Sequence, residues 1–216
     1  MLSTIIVLLC VIIAYAIGSI CSAVIVCKIF TLPDPRTTGS NNPGATNVLR
    51  IAGKKYAILV LVADMLKGFL PVLIGQLLGM HQSFLAFLAC AAVVGHIYPI
   101  FFQFKGGKGV ATAIGALLGL NITLGILTVI IWGITAKLTK LSSLASIVAI
   151  ILAPFISLFC YGNASAFIPL TLIMALTLYT HRSNISRIMN GTEPKIGVTI
   201  ASIDESQPPE EKSNKE

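Results

Sequence analysis

The sequence predicts an all-α, multi-pass membrane protein of seven transmembrane helices, its N-terminus outside and its polar blocks at the cytoplasmic face. Three observations lead there. Hydrophobic residues make up 56% of the chain and charged residues only 11%, against about a quarter charged in soluble domains; mean hydropathy is +0.91. Apolar runs near the length that crosses a bilayer, about 20 residues, recur along the chain. The net charge of +7 is spread over short Lys/Arg runs between those segments, the pattern of the positive-inside rule and not of a nucleic-acid surface.

The first helix is read over residues 2–27. No Lys or Arg precedes Lys28, so this stretch lacks the basic start of a cleaved signal and is expected to remain as a span. A polar loop follows over 32–55, then a second helix over 56–78, a turn at 79–82, and a third helix over 83–102 that leads to a basic, glycine-rich stretch at 105–109. The apolar run 110–138 is too long for one span and short for two. Asn121 interrupts it, so it is read as a short fourth helix, a turn at 119–121 and a fifth helix ending at Lys137. The sixth helix covers 142–159 and the seventh 165–180, with a turn at 161–164 between them.

Charge supports this count. With the N-terminus outside, every Lys and Arg except Lys67 falls on the cytoplasmic side, and the outside turns carry none. Reading 110–138 as one helix puts Lys105/Lys108 and Lys137/Lys140 on opposite sides. Residues 1–198 form one membrane domain, and 199–216, polar and containing Pro208 and Pro209, is expected to be a disordered cytoplasmic tail. No internal repeat is evident. The five cysteines lie in or beside apolar stretches without a C-x-x-C pair, and read as packing residues, not a metal site.

Three cytoplasmic blocks are too rich in glycine, amides, hydroxyls and basic residues to be mere connectors. The first runs from Gly39 through Ser40, Asn42, Pro43, Gly44, Thr46 and Asn47 to Arg50. Its glycines allow tight turns, and the guanidinium offers a fork suited to phosphate. The spacing imitates a P-loop, but Ala45 and Thr46 stand where Lys and Ser/Thr are needed, which argues against nucleotide binding. An Asn-Gly-rich loop before a helix is the plain alternative. The second block holds Gly95, His96, Tyr98 and Pro99, then Lys105-Gly106-Gly107-Lys108-Gly109 entering an apolar helix. Such a segment folds backbone N–H groups around an anion at a helix N-terminus; a topology anchor explains the lysines but does not require the glycines. The third holds His181, Arg182, Asn184 and Arg187, then Gly191-Thr192-Glu193-Pro194-Lys195. Asp64 and Lys67, three apart, share one face of the second helix. Ionisable groups at that depth pair or line a polar cavity.

These residues together resemble the bacterial acyl-phosphate:glycerol-3-phosphate acyltransferase family. The resemblance rests on Gly39-Ser40-x-Asn42-Pro43-Gly44-Ala45-Thr46-Asn47-Val48-Leu49-Arg50, on Gly95-His96-x-Tyr98-Pro99 running on to Phe104-Lys105-Gly106-Gly107-Lys108-Gly109-Val110-Ala111-Thr112, and on His181-Arg182-x-Asn184-Ile185-x-Arg187 with Gly191 to Lys195. Asp64-x-x-Lys67-Gly68 also fits; Asn41 stands where the family commonly has Gly. The resemblance covers nearly all of the chain except its tail.

It implies an active site at the cytoplasmic face of a bacterial inner membrane; a monomer without cofactor is expected, and no residue set suggests a metal site. The substrates are acyl phosphate and glycerol 3-phosphate, and the products lysophosphatidic acid and phosphate, in the first step of phospholipid synthesis. It implies substrate-contacting Ser40 and Arg50, phosphate binding by the second block, catalytic His181 and Asn184, and structural Glu193. Lys105 and Lys108, with Gly106, Gly107 and Gly109, are the expected phosphate cradle. Thr46, Asn47 and Lys67 are further binding candidates, with Asp64 structural. The expected mechanism is direct attack by the glycerol hydroxyl, with His181 as candidate base, His96 second, and a substrate phosphate as another proton acceptor. Ser40 as a covalent nucleophile lacks a histidine near it in sequence. The His-x-x-x-x-Asp pattern of larger glycerolipid acyltransferases does not follow His81, His96 or His181. A transporter for an organic phosphate is the alternative from another class, but it calls for polar groups along a path across the bilayer, whereas here they crowd one face.

Overall fold

In lipid no water satisfies exposed backbone N–H and C=O groups, so apolar segments close their hydrogen bonds within helices. In the computed structural model of the chain, which describes residues 4–197, they do so throughout. The helices are α1 (Thr4–Gly18), α2 (Ser22–Ile29), α3 (Ala45–Ala52), α4 (Lys54–Leu77), α5 (Gln82–Ile97), α6 (Val110–Leu120), α7 (Ile122–Thr139), α8 (Ser142–Tyr161), α9 (Phe167–Thr180) and α10 (Arg182–Met189), with one 3-10 turn at Ile100–Phe102. The start of the expected first helix and the tail at 199–216 lie outside the described residues.

Among the described residues, four helices, α4, α5, α7 and α8, are long and apolar enough to cross a membrane, and α1 with α2 makes a fifth candidate bent by 41°. Helices α6 and α9 are apolar but shorter. At 1.5 Å per residue they measure about 16 and 21 Å, against a hydrocarbon core of about 30 Å. The break between α6 and α7 falls at Asn121, as its polarity predicts, and its side chain caps α7 by accepting from Leu124 N at 3.1 Å.

Three elements depart from the sequence reading. The first helix is not continuous: it breaks between Gly18 and Ser22. Gly18 sits where a methyl group would come within 2.1 Å of Ala92 O, and the Ile20 carbonyl freed by the break accepts from Lys67 Nζ at 2.6 Å. The expected loop at 32–55 contains α3, an amphipathic helix that buries Asn47 and Val48 and joins α4 through Gly53 at φ 87°. The segment after His181 likewise continues as α10. Both added helices are two turns long, a length at which packing of one apolar face, and not intrinsic propensity, decides the outcome.

Close helix contact through small residues sets the frame. A methyl group at Gly68 on α4 would lie 2.0 Å from Thr112 O on α6, and one at Gly115 would lie 1.9 Å from Met65 O on α4. Gly95 on α5 presses in the same way on Tyr15 O of α1. Small interface residues let backbones approach where lipid offers no hydrophobic drive between helices. The innermost face of α5, with Ala86, Leu88, Ala89, Ala92 and Val93, is almost wholly buried. Asp64 of α4 is thereby brought beside the loop that feeds α6.

This contact yields a test. Gly115→Val forces α4 and α6 apart and is expected to lower stability by about 1–3 kcal/mol, the usual cost of overpacking, read as a lower thermal midpoint of the detergent-purified protein. The same change at Gly133, which has no heavy atom within 4 Å of the added carbon, is expected to leave the midpoint near wild type.

Candidate active site

The three polar blocks converge on one cavity of about 910 Å³. Its walls come from the 37–50 segment and α3, from α4, α5 and α6, from α7 and α8, and from the segment 181–194. The loop before α3 is held by Asn47, whose Oδ1 accepts from Ser40 N while Nδ2 donates to Pro35 O and Thr38 O, each at 2.9 Å. Both amide hydrogens of Asn47 are thus spent on the loop backbone; the shaped loop presents Thr38 and Ser40 to the cavity, and the first turn of α3 adds Thr46. Arg50, one turn on in α3, lines it as well and reaches Pro194 O at 3.5 Å.

The glycine-rich stretch enters α6 through Gly109, which holds φ 88°, a left-handed conformation that costs glycine little. Gly106 and Gly107 are packing residues: Gly107 N donates to His96 O at 3.1 Å, and a methyl on Gly107 would come within 2.2 Å of His96 Nε2. The turn directs Lys108 inward, where its Nζ donates to Asn184 Oδ1. Lys108 and Gly109 line the cavity; Lys105 is exposed, and neither it nor Gly106 and Gly107 is among the lining residues.

Glu193 ties the third block together. Its Oε1 accepts from Ser143 Oγ at 2.7 Å and Asn184 Nδ2 at 2.6 Å, and its Oε2 accepts from Arg187 Nε at 2.7 Å. Although burial works against its ionisation, these donors hold the carboxyl below its ordinary value. Asn184 passes this order on, because its other amide atom accepts from Lys108. Burial pushes Lys108 down to about 8, with Arg187 and Arg50 adding repulsion against the pull of Glu193.

His181 caps α9 and is 3% exposed. Its Nδ1 lies 2.8 Å from Thr177 O. A carbonyl oxygen only accepts, so Nδ1 carries the hydrogen and Nε2 is left as an acceptor. Burial pushes this imidazole down to about 4, so it is neutral at pH 7. Asp64 and His96 line the cavity from α4 and α5, whereas Lys67 turns away to Asp64 and Ile20 O. An apolar wall of Leu61, Met65, Ile114, Val129 and Trp132 adjoins the polar end; Leu61 and Val129 remain exposed on the outer surfaces of α4 and α7.

Sequence reasoning missed Ser143, which opens an apolar helix and there looks like an ordinary first-turn serine. It also missed Trp132, whose Nε1 donates to Ser146 Oγ at 3.1 Å. Neither has a local motif; each is selected by what α8 or α7 faces.

Apolar helices long enough to span a bilayer and a half-polar, cation-lined cavity define the class of multi-pass membrane proteins with a site suited to an anionic ligand. The comparisons define that class further. A family model described as glycerol-3-phosphate acyltransferase matches residues 8–191. The chain is 53% identical over 195 residues to a glycerol-3-phosphate acyltransferase of Legionella pneumophila, covering 90% of this chain and 70% of that one. It is 52% identical over 184 residues to that of Colwellia psychrerythraea, covering 85% and 92%. Crystal structures of the integral membrane glycerol 3-phosphate acyltransferase PlsY (YgiH) in its glycerol 3-phosphate and lysophosphatidic acid forms superpose with TM-scores of 0.84 and 0.81, at 40% and 39% identity. They cover 88% of this chain in each case, and 96% and 95% of theirs. The chain belongs to the bacterial glycerol-3-phosphate acyltransferase family, and is a multi-pass membrane acyltransferase.

The Glu193 network predicts a pH dependence. Glu193 has a folded value below the ordinary 4.5, so as pH falls the unfolded chain takes up the proton first. Its stabilisation is full above that ordinary value and is lost as pH drops through the folded one. Glu193→Gln is expected to lower the thermal midpoint at pH 7 by about 2–4 °C, the shift that ~1 kcal/mol gives in a chain of this size, and the gap to wild type to narrow in acid.

Proposed function

We propose that the chain transfers a fatty acyl group from acyl phosphate to the 1-hydroxyl of sn-glycerol 3-phosphate, giving lysophosphatidic acid and phosphate, at the cytoplasmic face of a bacterial inner membrane. The observation that carries this reading is the joint placement of Arg50, Lys108, Asn184 and His181 around one cavity whose remaining wall is apolar. Two phosphates and an acyl chain call for such a division. The proposed topology has seven crossings with the N-terminus outside. It counts α1 and α2 as one bent span and lets α6 and α9 cross with their flanking turns; the grouping of lysines near Lys105, Lys137 and Lys140 supports it.

In this mechanism Arg50 and Lys108 neutralise substrate phosphates, with Ser40 and Thr46 as hydrogen-bonding partners. His181 accepts a hydrogen bond from the attacking hydroxyl through Nε2 and orients it. The glycerol oxygen bonds to the acyl carbon, the bond from that carbon to the phosphate oxygen breaks, and the hydroxyl proton ends on the departing phosphate. A neutral, weakly basic imidazole suits orientation and brief relay of that proton. The Asn184 amide and backbone N–H groups stabilise the developing oxyanion. No acyl-enzyme is required, because phosphate is already a good leaving group. The acyl chain lies against Leu61, Met65, Ile114, Val129 and Trp132 and reaches the bilayer between helices.

The test is turnover by purified monomer in detergent, with synthetic acyl phosphate or acyl-CoA as donor, reading lysophosphatidic acid and released phosphate. Product from acyl phosphate alone supports the reading. Wild-type protein that makes none from either donor, while liposomes containing it take up glycerol 3-phosphate, points to a transporter instead. Lys108→Ala and His181→Ala are each expected to lower kcat/KM by about 100-fold or more, the scale of losing a group that stabilises the transition state. Because Lys108 titrates at about 8 in the free protein, kcat/KM is expected to fall as pH rises through that value, and to fall later in Lys108→Arg.

A further inference from the structure

Asp64 sits in the middle of α4 and is 1% exposed, where a carboxylate needs a partner. Its Oδ1 has two neighbours, Lys67 Nζ at 2.9 Å and His96 Nδ1 at 3.6 Å. The lysine alone accounts for charge balance, and through its bond to Ile20 O at 2.6 Å it also closes the break between α1 and α2. That leaves the histidine unexplained.

His96 ends α5, is buried, and lies directly under the glycine loop. Its carbonyl accepts from Gly107 N at 3.1 Å, and its Nε2 edge leaves no room for a methyl group on Gly107. The ring therefore faces the Asp64 carboxylate with its Nδ1 edge, at 3.6 Å and without a hydrogen bond, and the loop with its Nε2 edge. The next residue of that loop is Lys108, whose ammonium stands in the cavity beside Asn184.

The geometry points to Asp64 as a positioning residue for the transfer reaction: through His96 it fixes the height of the loop at Gly107, and so the point at which Lys108 meets a substrate phosphate. Lys67 is its counter-ion and holds the helix break. Asp64 also lines the cavity, and the role inferred here runs through the ring and the loop. This inference rests on the acyl-transfer reading above.

The simpler role for Asp64 is to neutralise Lys67, and paired substitution separates the two. Asp64→Asn with Lys67→Gln removes both charges while keeping a donor for Ile20 O. His96→Gln leaves the ion pair intact. The proteins are purified in detergent, their thermal midpoints recorded, and kcat and KM for glycerol 3-phosphate measured. The expected result is a near-wild-type midpoint in both variants, with KM raised about tenfold and kcat changed less, the pattern of lost binding in ground and transition states alike. The triple variant is expected to be no worse than either, because both act on one loop. A wild-type KM in Asp64→Asn/Lys67→Gln or in His96→Gln, or losses that multiply in the triple variant, overturns the proposal. If the double variant does not fold, Asp64→Asn alone is measured beside His96→Gln and decides by the same criterion. A wild-type protein that makes no lysophosphatidic acid counts against the acyl-transfer reading. Calorimetric titration of inorganic phosphate into wild type, His96→Gln and Asp64→Asn/Lys67→Gln then decides the Asp64–His96 role: weaker binding in both variants supports it, and wild-type binding in either overturns it.

Discussion

The arrangement depends on one carboxylate. Arg50, Lys108 and Arg187 face a single cavity, and three cations crowded into a partly buried space repel one another. Glu193 offsets this by accepting from Arg187, Asn184 and Ser143, which pins α10 and the segment after it to the start of α8. Lys108 is reached at one remove, through the two ends of the Asn184 amide. With Asp64 balanced by Lys67, the three cations still outnumber Glu193, a charge balance suited to an anionic ligand.

That chemistry is built on a frame set by lipid. Helices in a bilayer gain little from burying apolar side chains against one another, so the frame relies on backbone approach at Gly18, Gly68, Gly95 and Gly115. The same approach explains how an ionised pair survives at 1% and 6% exposure: α4 lies close enough to the broken end of α1 for Lys67 to reach both Asp64 and the Ile20 carbonyl. Tight helix contact, the helix break and the buried pair are parts of one solution.

Much of this was legible in the sequence, for physical reasons. Hydropathy and the interrupting Asn121 located the apolar helices, since segment length and a polar break are local properties. The three polar blocks stood out because glycine, amide and basic residues coincide there, and residues from all three line one cavity. Other features depended on distant packing. Nothing local distinguishes α3 from a loop until Val48 finds its buried place, and nothing near Ser19 marks a helix break without Lys67. The residue types of the glycine-rich block were readable, but their division of labour was not. Within one short run Lys108 points inward, Lys105 outward, and Gly106 and Gly107 support His96. Asn47 reads as a ligand group; it lines the cavity, and its amide also holds the loop that carries Ser40.

The most direct test of the account is an experimentally determined structure of the protein with glycerol 3-phosphate bound. The account predicts the phosphate between Arg50 and Lys108, with the 1-hydroxyl beside His181 Nε2. A phosphate bound away from both cations, or a glycerol hydroxyl facing away from His181, would contradict it.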